Sequence, residues 1–200
     1  VFSDVDVQFF GEILPCIRAG ISGRDVCFMR ELVDIGVNIG FMAVRRSPAT
    51  FTFFKEVEQV IMKQGGMDQR VVNNLLYTDF ADSLGMRWGR FPTSVWASSQ
   101  AVSGPPPEDI LVHHANWVSW DRPTYSEQNA VGIGACDPSA KLAQLRELRS
   151  LVFSRDLKGQ RRLAAGLASD GCIAKYASRY FGESRSGPEW TGLPEGHVAR

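Results

Sequence analysis

The sequence has no surplus of charge of either sign: its 200 residues carry 22 Lys+Arg and 22 Asp+Glu, a formal net charge of zero. Nucleic-acid binders usually carry a clustered basic surplus, so that class is set aside. Long apolar runs are missing as well. None approaches the roughly 18 residues that a membrane span needs, and no basic cluster flanks an apolar stretch. Cysteine is sparse. Cys16, Cys27, Cys136 and Cys172 are widely spaced without a C-x-x-C pair, which argues against a structural zinc site. One or two disulfides in an oxidising compartment and free buried thiols both fit that spacing. There is no N-x-Ser/Thr sequon, internal repeat or low-complexity block.

What is present is ordinary for a globular chain: 44% hydrophobic and 22% charged residues, enough length for a sizeable core, and one domain or one domain with an appendage. The chain opens on Val1-Phe2, apolar and leading straight into acids. That pattern predicts the end of a buried strand with sequence upstream of it, and a signal peptide or membrane anchor would lie in that upstream part.

Strand and helix signals then alternate, which indicates an α/β fold. Residues 1–10 read as a strand interrupted by acids, and residues 11–24 as turn-rich, with Pro15, Gly20 and Gly23. Val26-Cys27-Phe28-Met29 is a short apolar strand. Ile39–Val44 is a near-continuous apolar run that suits a strand buried on both faces. Ser47-Pro48 opens a helix, with Ser47 as N-cap and Pro48 in its first turn. Phe51, Phe54, Val57 and Ile61 recur at helical spacing, and Gly65-Gly66 ends the pattern. Residues 68–77 form a second helix, with Val71, Val72, Leu75 and Leu76 as its apolar face and Asn73 and Asn74 on its polar, solvated face. Short strands are predicted at 86–91, 94–98 and 110–113, with Pro105-Pro106-Pro107 in a loop. From about residue 138, Leu142, Leu145, Leu148 and Val152 recur among charges, which predicts a helix. One or two more fall over 157–181, and a Gly-, Pro- and Ser-rich tail begins at Glu183.

Asp4 and Asp6 are the first candidate site. In an extended strand, residues two apart point to the same side, so the two carboxylates lie close together. Neighbouring carboxylates raise each other's pKa unless a cation lies between them, and hard divalent cations favour such oxygens. The flanking Val1, Phe2, Val7, Phe9 and Phe10 would bury the strand around the pair. The residues alone leave a solvated turn and a metal site equally open. An EF-hand loop is excluded, because its sixth and twelfth positions would be Phe9 and Pro15. A D-x-D phosphatase remains a weaker alternative, since Gln8 departs from its pattern and no downstream acidic pair follows a lysine.

Further motifs follow in order: Asn38-Ile39-Gly40-Phe41-Met42, then Asp68-Gln69-Arg70-Val71-Val72-Asn73, then His113-His114-Ala115-Asn116-Trp117. With Asp4-Val5-Asp6 they resemble the nucleotide-diphospho-sugar transferase family over roughly residues 1–120. That family pattern is an apolar strand ending in D-x-D, an N-x-G-F/M strand, a D-Q-x-x-x-N helix start and a late H-x-N-W. The resemblance implies a GT-A-like (Rossmann-like) mixed sheet flanked by helices. Residues 1–137 would be the catalytic part of an N-terminally truncated domain, 138–182 a helical C-terminal segment, and 183–200 a flexible tail.

The resemblance also implies roles. Asp4, Asp6 and His114 would hold a divalent metal, Mn²⁺ rather than Mg²⁺, and through it the diphosphate of a nucleotide-sugar donor, UDP-linked in this reading. Asn38, Gly40 and Asn116 would line the donor site, and Asp68 and Gln69 would face the sugar and the reacting bond. The activity implied is a retaining hexosyl or pentosyl transfer to the hydroxyl of a glycan, glycoprotein or small acceptor. The location implied is the Golgi lumen, as a type II membrane protein, if the source is eukaryotic. A non-catalytic module that keeps the fold is the competing class. If residues 110–114 form a strand, His113 and His114 point to opposite sides, so only one faces the metal. Relatives often carry Gly and Lys soon after the H-x-N-W. Here the residues are Val118-Ser119-Trp120-Asp121-Arg122-Pro123, which leaves Arg122 or a cation elsewhere to neutralise phosphate.

Overall fold

The computed structural model describes residues 1–32, 36–116 and 138–169. Among these, seven strands fall into two sheets. The first sheet combines β1 (Phe2–Ser3), β4 (Val37–Val44), β3 (Val26–Arg30) and β5 (Trp88–Arg90) in that order. The second combines β2 (Val7–Phe9), β7 (Val112–His114) and β6 (Val95–Ala97). Each is mixed: β3–β5 and β6–β7 are parallel pairs, and the other pairings are antiparallel. Helices cover both sheets, so the architecture is mixed α/β.

Side-chain alternation along β3 separates two cores. Val26 and Phe28 face a layer made by α2 (Pro48–Gln64), α3 (Asp68–Tyr77) and α4 (Asp79–Ser83), with Phe53, Val57, Val72 and Leu76. Cys27 and Met29 face the opposite side, where Ile17 of α1 (Leu14–Gly20), Phe91, Val95 and Val112 close a second core. A third cluster joins Trp96 and Ile110 to Leu148 of α5 (Pro138–Phe153) and to Ala164 and Leu167 of α6 (Leu157–Ser169). Burial pushes the Cys27 thiol up to about 12, which makes it an inert packing residue. Cys16 is likewise a free thiol, and Cys136 and Cys172 lie outside the described residues.

Several elements differ from the sequence reading. Residues 14–20 are helical rather than turn-like. Pro15 falls in the first turn, where no intrahelical N–H is required, and Gly20, the last helical residue, lacks the Cβ that would run into Phe91. The 3₁₀ segment Ser98–Ser103 and α4 carried no clear periodic signal. Ser47 caps α2 as the sequence implies, in a reciprocal box with Thr50. Yet the buried stripe of α2 is Thr50, Phe53 and Val57, and Phe51 is 72% exposed. Val1, Phe2 and Phe9 are exposed too, because β1 and β2 are edge strands and their apolar residues are not sandwiched. The tail from Glu183 lies outside the described residues.

The other correction concerns Asn73. Its side chain is buried, not solvated on a polar face. The Val37 N–H donates to its Oδ1 at 2.8 Å, and its Nδ2 donates to the Val37 carbonyl at 2.8 Å. The amide thus pairs with the backbone of β4 as a neighbouring strand would, and it clamps α3 to the sheet. Substituting Asn73→Leu leaves two buried backbone groups without these partners. The expected loss is about 2–4 kcal/mol of unfolding free energy in urea titrations. A change within about 0.5 kcal/mol would show that the clamp contributes little.

Candidate metal centre

The strand β4 holds the irregularity from which the site is built. Phe28 faces Met42 across β3–β4, whereas Met29 faces Asn38, so Ile39, Gly40 and Phe41 lie opposite no residue of β3. Such bulges re-aim side chains and free backbone groups from the ladder. Here side chains take up those groups: Ile39 N–H donates to Gln69 Oε1 at 3.4 Å, and Gly40 N–H donates to Asn38 Oδ1 at 2.8 Å. On its other edge, the Gly40 carbonyl accepts the Asp4 N–H at 2.8 Å.

Asp4-Val5-Asp6 is the crossing between the sheets. It leaves β1, turns with Val5 fully in solvent, and enters β2. Asp4 is pinned to β4 through Gly40, and the Asp6 carbonyl accepts the Ala115 N–H at 3.0 Å beside β7. The two carboxylates therefore converge through a turn held at both ends, not through the pleat of one continuous strand. Opposite them stands His114, with Nε2 3.1 Å from Asp6 Oδ1 and 3.7 Å from Asp4 Oδ2. A Cβ built on Gly40 would run into the His114 ring, so the close approach that this glycine permits is that of the imidazole.

Hydrogen bonding fixes the imidazole tautomer. His114 Nδ1 lies 2.9 Å from Asn38 Oδ1, the oxygen that also accepts the Gly40 N–H. Asn38 Nδ2 donates to Glu31 Oε2 at 2.6 Å, so the amide has its oxygen toward His114 and cannot be reversed without losing both partners. Nδ1 therefore carries the proton. In the neutral ring Nε2 then presents a lone pair to two carboxylates, an arrangement that needs a proton or a cation between them.

Among the described residues, Asp4, Asp6 and His114 form a group whose ligand atoms all lie within 4.8 Å of one another. Oxygens held at about 2.0–2.6 Å from a hard cation span up to roughly 5 Å across it. The donor set therefore fits a divalent ion. Asn38 supplies to His114 a hydrogen bond of the kind that orients metal-ligating histidines.

The two carboxylates are driven apart electrostatically. Burial pushes Asp4 up, His114 opposes this, and the charges of Asp6 and Asp68 reinforce it. Burial also acts to raise Asp6, but the hydrogen bond and charge of His114, together with Lys141, outweigh it and hold the carboxyl well below the usual range. Lys141 comes from α5, and its Nζ bonds directly to Asp6 Oδ2. The second histidine lies on the other side of β7. His113 is fully buried, stacks on Trp96 at 5.1 Å between centroids, and has Gln144 Nε2 3.0 Å from its Nε2. Burial, with the His114 charge, pushes it down to about 3, so it is a neutral core residue.

The remaining candidates divide by what they touch. Asp68 is exposed at the start of α3, where its Oδ1 accepts the Gln69 N–H at 2.8 Å, and its charge reaches Asp4. The Gln69 amide is engaged with the β4 bulge. Asn116 is buried with its amide on Ser99: Oδ1 accepts the backbone N–H at 3.2 Å, and Nδ2 reaches Oγ at 3.1 Å. Trp117 and Arg122 lie outside the described residues. Sequence reasoning missed Glu31, Lys141 and Gln144. Glu31, a carboxylate just past an apolar strand, carried a weak signal. The other two are ordinary polar positions of an amphipathic helix.

Residues 1–123 match the family model for nucleotide-diphospho-sugar transferases. No curated protein and no solved structure matches the chain significantly.

The opposite shifts of the two acids give opposite consequences. Asp6 is held below its ordinary value of 3.8, so its ionisation stabilises the fold above that pH, and the contribution is lost as pH falls through 3.8 toward the folded value. Asp4 is held above 3.8, so its ionisation destabilises the fold as pH rises from 3.8 through the raised value. Without added metal near about pH 7, Asp6→Asn should lower the thermal midpoint and Asp4→Asn should raise it slightly. Equal losses in both variants, measured by differential scanning fluorimetry across a pH series, would contradict this division.

Proposed function

Because the chain belongs to the nucleotide-diphospho-sugar transferase family, we propose that it is a metal-assisted glycosyltransferase, moving a sugar from a nucleoside-diphosphate sugar to an acceptor hydroxyl. The convergence of Asp4, Asp6 and His114 carries this reading. We infer that these three residues hold the metal, Mn²⁺ in preference to Mg²⁺, since an imidazole in the donor set suits the softer ion. A bound divalent ion supplies Lewis-acid stabilisation of the charge that develops on the departing diphosphate.

The chain's own residues supply the rest. Asn38 keeps the proton on His114 Nδ1 and leaves Nε2 free to ligate. Gly40 makes room for the ring and pins Asp4. Gln69 lies against the bulge of β4, and in this reading its amide dipole acts on positive charge developing in the sugar. Asp68 is the acid at the edge of the pair assigned to a nucleophile or base role in a retaining transfer. Asn116 supports this site through Ser99. In this reading the fold is of the GT-A type, residues 1–137 carry catalysis and 138–182 form a helical segment. The donor is UDP-linked, and the acceptor is a glycan, glycoprotein or small hydroxylated molecule. No helix among the described residues is long and apolar enough to cross a membrane.

The test is a panel of nucleotide sugars incubated with the full chain and Mn²⁺, with release of nucleoside diphosphate as readout. Turnover should depend on added metal, and Asp6→Ala should reduce it by more than about a hundredfold. Retention of normal metal dependence in Asp6→Ala would remove the assignment. Asn38→Leu should weaken Mn²⁺ binding by about 10–100-fold in calorimetric titration, as expected when a ligating histidine loses its orienting partner.

A further inference from the structure

One cation is already seated in the proposed metal centre. The Lys141 ammonium bonds to Asp6 Oδ2, while the other oxygen, Oδ1, faces His114. Both partners are largely shielded, with side-chain exposures of 21% for Lys141 and 14% for Asp6. Lys141 does not arrive there on a loose chain. It lies one turn before Gln144 on the same face of α5, and the Gln144 side chain is buried against Ser98 and His113. One turn further, Leu148 is fully buried with Trp96, Ala101 and Ile110. The helix is therefore anchored on the second sheet, and its first turns deliver a charge to a carboxylate of the metal pair.

A divalent ion that takes both oxygens of Asp6 competes with the ammonium on Oδ2, and one that takes Oδ1 alone meets a carboxylate whose charge is already partly neutralised. Lys141 has three donors and no acceptor, so it can neutralise Asp6 but cannot ligate beside it. A fixed positive charge next to the site also opposes an incoming cation. We propose that Lys141 is a resident countercation of Asp6 that competes with a divalent metal, so that metal loading is coupled to the position of the α5 side chain. This rests on the metal reading of the preceding section. It adds that α5, beyond the residues matched by the family, sets how tightly the ion is held.

The experiment is titration of Mn²⁺ into the full 200-residue chain, followed by calorimetry and by paramagnetic resonance of the free ion. Lys141→Met keeps the length of the side chain and removes its charge. It should bind Mn²⁺ on the order of tenfold more tightly than the parent protein. Lys141→Arg keeps the charge and should bind like the parent. Lys141→Gln should shift in the same direction as Lys141→Met, which guards against a folding defect in either variant. If Lys141 only anchored α5, the uncharged variants would lower the thermal midpoint and leave Mn²⁺ affinity unchanged or weaker, and competition would be refuted. If Mn²⁺ binds the parent, is lost in Asp6→Asn and is indifferent to Lys141→Met, the metal centre stands and competition fails. Absence of binding in parent and variants alike would overturn both.

Discussion

The side-chain amide of Asn38 is the constraint on which the site depends. Its oxygen accepts from Gly40 and from His114, and its nitrogen donates to Glu31. Those partners belong to the bulge of β4, to the far sheet and to the end of β3. One buried amide thus holds the irregular backbone in place, sets the imidazole tautomer, and places a ring nitrogen opposite two acids. A buried amide with these partners satisfied is rigid, and each lost partner would leave a desolvated group behind. Glu31 below it is equally committed, with its backbone carbonyl accepting from Ser99 Oγ at 2.6 Å. Ser99 in turn is held by Asn116. The late H-x-N segment therefore contributes at two depths: His114 at the site and Asn116 beneath it.

Electrostatics follows from that geometry. Two acids close together cannot be equivalent when a histidine and a lysine approach them unequally. Asp6 is the more buried and receives both His114 and the Lys141 ammonium, so it stays ionised. Asp4 is more open to solvent, is flanked by Asp6 and Asp68, and holds its proton longer. The second histidine shows the opposite outcome on the same strand. His113 faces an aromatic ring and an amide in a dry core and remains neutral. Adjacent positions on β7 differ by side of the sheet, and that alone separates a candidate ligand from a packing residue.

Much of the architecture was legible from local pattern. Ser47-Pro48 fixes the start of α2 by capping, and Gly65 stands just past its end. The apolar run of 39–44 declares a buried strand, whereas the bulge within it came only from the structure. The helix of 68–77 follows from Val71, Val72, Leu75 and Leu76. Where pattern misled, the reason was context. Phe51 fits an apolar stripe by spacing, but the helix turns Thr50 and Phe53 inward. Asn73 looks like a solvated polar residue, but the end of β4 that β1 does not reach lies against it and takes both ends of its amide. Val1 and Phe2 look like a buried strand, but they sit at a sheet edge.

The opening acids show where the two sources of information part. By itself the sequence determined that Asp4 and Asp6 are close, because two residues of backbone cannot separate them far. It also placed them at the end of a short strand and supplied Asn38, Gly40, Asp68, Gln69 and His114 in the order that the family pattern requires. Only the tertiary structure decided that the pair spans two sheets, that Gly40 yields its space to the His114 ring, and that Gln69 and Asn116 are held by backbone and by Ser99. It alone brought Lys141 to Asp6. The physical reason is sequence separation. Capping, periodicity and turn chemistry act over a few residues and can be read locally, whereas a contact between a turn near one end and a helix more than a hundred residues away is set by how the intervening sheets and cores pack.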